Sequence, residues 1–202
     1  MITINEICEG VYEDLNGCIE SITTLEHAFP IDCEMKIRFD CDAWDVKGVR
    51  REFLFKCGGV LGRSLECGPV ESIQLVSEHP LLWSYTCDYA YLNFYSSPEN
   101  SYEIVGRLYE AHAKLFGNRK HLHQFLNPLF KETSHSLLEG GFGMLAYGPM
   151  PIMKAYAEAI GDRMVIGIIS ANICRNDQKK NCKVLMFDHQ YVVCQKVAAS
   201  KI

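Results

Sequence analysis

The chain has 202 residues, 48% of them apolar and 22% charged, a globular balance that excludes a disordered or low-complexity polymer. At this length folding buries roughly 70% of the surface exposed by the unfolded chain, so a core forms without metal or disulfide. The formal net charge of −5 and the lack of any stretch near the ~20 apolar residues of a membrane helix argue against nucleic acid and membrane as partners.

The N-terminus lacks a basic segment followed by an apolar one, so a secretory signal is not expected and a cytoplasmic location is. The ten cysteines then read as reduced thiols, mostly packed as small hydrophobes. Charge is uneven. Residues 1–34 hold eight acids and no Lys or Arg.

In that acidic stretch Ile4, Ile7, Val11, Leu15, Ile19, Ile22 and Leu25 recur every three or four residues. This spacing predicts an amphipathic helix over roughly 3–27, opened by a Thr3/Glu6 capping box and closed before Pro30. Its acidic face is a docking surface for a protein partner, or else a solvated side. Gly10 and Gly17 weaken it.

Strands follow over roughly 33–95. Met35, Ile37, Phe39 and Cys41 alternate with polar residues, and Phe53, Phe55 and Cys57 repeat the pattern. Gly58-Gly59, Gly62 and Gly68-Pro69 punctuate the next segment. Ile73–Val76 and Leu82–Tyr95 are further strands, the second with a bulge near Asn93.

A second helix opens at Ser97-Pro98-Glu99 and stops at Gly117-Asn118. Tyr102, Val105, Leu108, Tyr109, His112, Leu115 and Phe116 form its buried side. An irregular stretch to 138 leads to a strand over 142–147, a helix over 151–160 ended by Gly161, and an apolar strand over 164–171. Two last strands, 183–187 and 191–197, form a hairpin turning at Asp188-His189-Gln190. About three helices and seven to nine strands without βαβ alternation predict a single α+β domain over 1–202 with a mainly antiparallel sheet.

Chemistry concentrates in two places. Trp83, Tyr85, Cys87, Tyr89 and Tyr91 fall on every second residue and so share one strand face. That face is either a core surface or a platform for a flat ligand, with phenols as hydrogen-bond handles. Asn118-Arg119-Lys120-His121-Leu122-His123 is the densest basic cluster. Arg119 and Lys120 there suit an anion, or offset the negative end of the preceding helix.

His121 and His123 are candidate general acids or bases, because imidazole titrates near neutral pH. No companion ligands stand at a metal-binding spacing, and no Gly-rich segment has the strand-to-helix order and Lys-Ser/Thr pair of a phosphate loop. No metal and no cofactor are therefore expected. The leading expectation is a protein that binds a small ligand or a partner through Trp83, Tyr85, Tyr89, Tyr91, Arg119 and Lys120, and that forms a homo-oligomer in one version. The alternatives are a hydrolase or transferase acting on a small anionic substrate, and a structural protein docking through the acidic helix.

Overall fold

The computed structural model describes residues 16–27, 32–42, 48–129, 137–171 and 181–202. Twelve strands in three antiparallel sheets and three α-helices are found among them, an α+β architecture dominated by sheet and slightly richer in strands than expected. The chain packs as two compact units, Met1–Leu82 with Lys180–Ile202, and Trp83–Lys179. No helix among the described residues is long and apolar enough to cross a membrane.

Among the described residues the first unit is built of strands, apart from a 3₁₀ turn at Pro80–Leu82. Strands β1 (Gly17–His27), β2 (Asp32–Asp42), β3 (Arg50–Gly58), β5 (Gly68–Val70) and β12 (Lys196–Lys201) form a five-stranded sheet in the order β12-β3-β2-β1-β5. Strands β4 (Gly62–Ser64), β6 (Ile73–Val76), β10 (Lys183–Phe187) and β11 (Gln190–Cys194) form a second, ordered β4-β11-β10-β6. Their apolar faces share one core. Met35, Ile37, Phe39 and Cys41 of β2 are wholly buried, as the alternation requires, with Phe53, Phe55 and Cys57 beside them. Phe55 meets Phe187 edge-on at 5.7 Å, and Phe39 lies about equally far from both.

The expected N-terminal helix is corrected here. Residues 1–15 lie outside the described residues, but Gly17–His27 is a strand. The cause is a bulge. Ile19 pairs with Phe39 and Ser21 with Arg38, leaving Glu20 as an extra residue. Ile22 then stands opposite the buried Ile37, so Ile19 and Ile22 both face the core although three residues apart. A bulged strand thus reproduces the spacing of a helix, while Ile19, Ile22, Thr23 and Thr24 supply β-branched side chains. Gly17 is also required by packing. A Cβ there would lie 2.4 Å from the Phe39 ring.

The closing hairpin is present, turned by Asp188 at φ 53°. Its carboxylate accepts from Glu71 N–H at 2.9 Å and from the Ser72 hydroxyl at 2.7 Å. The last strand is not continuous. It breaks at Gln195, where the chain leaves β11 of one sheet and enters β12 of the other.

The second unit holds β7 (Tyr89–Phe94), β8 (Gly143–Pro149) and β9 (Ile166–Ser170) in the order β8-β7-β9. Its helices with both ends among the described residues are α1 (Trp83–Thr86), α2 (Ser101–Phe116) and α3 (Met150–Ile160). Helix α3 packs on all three strands and against α2. Asn100, not Ser97, caps α2, accepting from Tyr102 and Glu103 N–H. Its buried stripe is Ile104, Leu108, His112 and Phe116, spaced by four, whereas Tyr102 and Tyr109 face outward at 73% and 50% exposure. Gly117 and Gly161 end α2 and α3 as expected.

Candidate functional site

The aromatic segment does not form one strand. Pro80–Leu82 is a turn of 3₁₀ helix and Trp83–Thr86 a turn of α-helix, so only Tyr89 and Tyr91 of the five alternating residues lie in β7. His79 starts the turn, accepting Leu81 N–H on Nδ1 and Leu82 N–H on its carbonyl. Trp83 and Tyr85 therefore leave the strand face, half-buried on α1. The core side of β7 is the other one. Ala90, Leu92 and Phe94 are wholly buried, while Tyr89 and Tyr91 stay half-buried.

The third ring on that tyrosine side comes from β8 and was not foreseen. Tyr91 stands opposite Tyr147 of β8, with ring centroids 4.8 Å apart, and Tyr89 is 5.3 Å from the same Tyr147. A bulge between Leu92 and Asn93 shifts the β8 register, close to where one was expected. Three phenols thus make a continuous row.

The basic segment reaches the edge of β8 through a defined path. Beyond Gly117, Arg119 N–H returns to Phe116 C=O at 3.0 Å. The 3₁₀ turn Leu122–Gln124 then brings the chain beside β8, where Tyr147 N–H bonds Phe125 C=O and Asn127 N–H bonds Leu145 C=O. The Phe125 ring covers Gly148 so closely that a Cβ there would lie 2.8 Å from it.

His112 locks this path. Its Nε2 lies 2.7 Å from the Lys120 carbonyl and its Nδ1 2.8 Å from the Tyr156 hydroxyl. A carbonyl only accepts, so Nε2 carries the hydrogen and the neutral ring accepts from Tyr156 O–H at Nδ1. Burial lowers the His112 pKa and raises that of Tyr156, which keeps both neutral.

With its backbone held, Lys120 lays its side chain over two aromatic rings. Nζ is 5.9 Å from the Phe116 centroid and 5.7 Å from that of Phe125, and those rings stack on each other. Nζ donates to Ser84 Oγ at 3.2 Å. The Ser84 carbonyl in turn accepts from Tyr89 O–H at 3.3 Å. Burial pulls the Lys120 pKa below its usual value, and no carboxylate among the described residues is paired with it.

Of the residues singled out from sequence, Tyr89 and Lys120 are thus linked through Ser84, and Tyr91 joins Tyr89 only through the Tyr147 ring. Arg119 is half-buried on the adjoining turn. His121 and His123 are exposed, and His123 turns edge-on to Tyr109 at 6.5 Å. Ser84, Tyr147 and the Phe116–Phe125 pair were not foreseen, because each depends on contacts between distant segments.

Two other places hold polar groups. A hollow of about 300 Å³ lies among Ser97, Asn100, Glu103, Asp162 and Arg163, where Glu103 is already bound by Arg107 and Arg163. In the first unit, ligand atoms of Cys18, Glu20 and Asp40 lie within 4.8 Å of one another and have the chemistry to hold a cation. The Arg50 guanidinium occupies Asp40 at 2.7 Å and competes for that charge. Comparison with known proteins gives no identity: no family model, curated protein or solved structure matches the chain.

Proposed function

We propose that this chain is a cytoplasmic small-ligand-binding protein, and that its ligand carries a flat ring and an anionic group. The ring lies along Tyr89, Tyr147 and Tyr91, and the anion meets Lys120. The carrying observation is the Lys120 ammonium, half-buried on two phenyl rings, with Ser84 as its hydrogen-bond partner and no carboxylate beside it among the described residues. A cation withdrawn from water without counter-charge is costly, and an incoming anion supplies that charge where the low dielectric strengthens the pair. Ser84 accepts from Lys120, so its own O–H remains a donor for the ligand.

The test is calorimetric titration with adenosine monophosphate, which offers a flat ring and an anion, against neutral adenosine. Saturable binding of the nucleotide, much weaker for adenosine and weakened at least tenfold in Lys120→Met, is the expected result. Equal heats for the two compounds, or undiminished binding by the variant, contradict it.

A second reading, a hydrolase or transferase acting on a small anionic substrate, has one observation in its favour. A hydroxyl 3.2 Å from an amine with lowered pKa is a nucleophile beside a base. That assigns the base to Lys120 in place of His121 or His123, which are exposed. Turnover of an activated ester such as p-nitrophenyl acetate, abolished in Ser84→Ala, would support it, and turnover unchanged in that variant would remove it.

A further inference from the structure

The two sheets of the first unit exchange chain at one corner. β3 leaves through Gly58, Gly59, Val60 and Leu61 into β4, and β11 leaves through Gln195 into β12. The crossings run side by side. Gln195 N–H bonds Gly58 C=O at 3.0 Å and Leu61 N–H bonds Val193 C=O at 2.8 Å. A Cβ on Gly59 would lie 2.6 Å from Oε1 of Gln195, so the Gln195 side chain lies against the Gly59 backbone.

Immediately before the crossings stand two thiols, Cys57 ending the core face of β3 and Cys194 ending that of β11. They are 1% and 0% exposed and belong to the same apolar cluster. Each is one residue from the Gly58–Gln195 bond. The two thiols are hydrogen-bond partners, which holds the Cys57 pKa up and that of Cys194 down, with the Lys183 charge adding to the second effect. Nothing in the apolar core calls for two sulfurs to meet, since a Val or Ala pair would serve packing as well.

We propose that Cys57 and Cys194 are an oxidisable dithiol, a disulfide-modification site that staples the two sheets at their shared corner in response to a peroxide. In the first step the Cys194 thiolate attacks a peroxide oxygen. The O–O bond breaks, a sulfenic acid forms on Cys194, and the hydroxide released takes up the proton that Cys194 lost. The Cys57 sulfur then attacks the sulfenic sulfur, the S–O bond breaks, and the departing hydroxide leaves with the Cys57 proton as water. Two thiols give up two electrons and two protons, and one hydrogen peroxide becomes two waters. Burial makes the reaction slow and selective for an oxidant hardly larger than water, and a reducing cytoplasm returns the pair to thiols.

The bond joins residues separated by about two thirds of the chain, so it removes much freedom from the unfolded state and raises the melting temperature by about 10 °C. The test treats the reduced full-length protein with hydrogen peroxide, blocks remaining thiols with N-ethylmaleimide, and maps peptides without reductant. The expected result is a Cys57–Cys194 cross-linked peptide together with a higher melting temperature that reductant reverses. If both cysteines are recovered unlinked while the exposed Cys67 is fully oxidised, or if either is joined to a different cysteine, the proposal is overturned. A cross-link without a rise in melting temperature refutes the staple. Because both readouts use the unmodified sequence, they stand even where Cys57→Ala or Cys194→Ala fails to fold.

Discussion

Replacing Lys120 by Met separates a ligand-binding lysine from a structural one. Met keeps much of the side-chain stem over Phe116 and Phe125 and removes the ammonium. If Lys120 serves only the fold, the variant loses the Ser84 hydrogen bond, about 1 kcal/mol. It also loses two cation–π contacts, about 0.5–1 kcal/mol each at partly exposed sites. The total of about 2–3 kcal/mol lowers the melting temperature by roughly 4–12 °C in a chain of this size. Against that loss stands the cost of holding an ammonium half out of water without counter-charge, which the variant recovers. The binding account therefore expects these effects to cancel, leaving the melting temperature within about 3 °C of the parent. Affinity for an aromatic anion falls instead by the worth of one charge-assisted hydrogen bond, about 1.5–3 kcal/mol, or roughly 10- to 150-fold. Differential scanning calorimetry and titration with adenosine monophosphate read the two quantities on one preparation. A melting temperature lowered by about 10 °C with affinity unchanged refutes the reasoning.

Three further outcomes follow from the same contacts. Tyr147→Ala removes the ring shared by Tyr89 and Tyr91 and weakens the nucleotide by about 1–2 kcal/mol while sparing benzoate, which spans fewer rings; equal losses for both contradict the stacking role. Gly17→Ala forces a methyl into the Phe39 ring, itself confined by Phe55 and Phe187, and destabilises by about 1–3 kcal/mol in urea unfolding, where no change contradicts the packing. Because the folded pKa of His112 is depressed, the stability it contributes is full above about pH 6.5 and declines as pH falls toward the folded value, as the unfolded chain protonates first. The melting temperature of the parent relative to His112→Gln falls over that window, and parallel pH profiles contradict the neutral assignment.

The β2 and β3 core faces, the α2 and α3 stops and the closing hairpin were legible because local alternation, glycine and turn chemistry decided them. The N-terminal strand was not, since the bulge at Glu20 places Ile19 and Ile22 on one face at helical spacing. The aromatic row misled in the opposite way. Alternation over 83–91 implied one strand, yet Pro80 and the His79 cap bend the chain into α1, and the buried side of β7 is Ala90, Leu92 and Phe94. Of the candidate site, Lys120, Tyr89 and Tyr91 were read from sequence, whereas Ser84 and Tyr147 join them only through tertiary contacts. The histidines drew attention by chemistry alone, and the one that orders the site is buried His112, which acts by holding the Lys120 backbone.

On this reading Lys120 receives an anion while the tyrosine row holds the ring. The most direct test is a nuclear magnetic resonance titration of protein carrying ¹³C-labelled lysine and tyrosine with adenosine monophosphate. A saturable shift at Lys120 Cε, with concerted shifts of the Tyr89, Tyr91 and Tyr147 rings at one dissociation constant, is the expected result. Shifts confined to other lysines, or a silent Lys120 with the nucleotide bound, would contradict it.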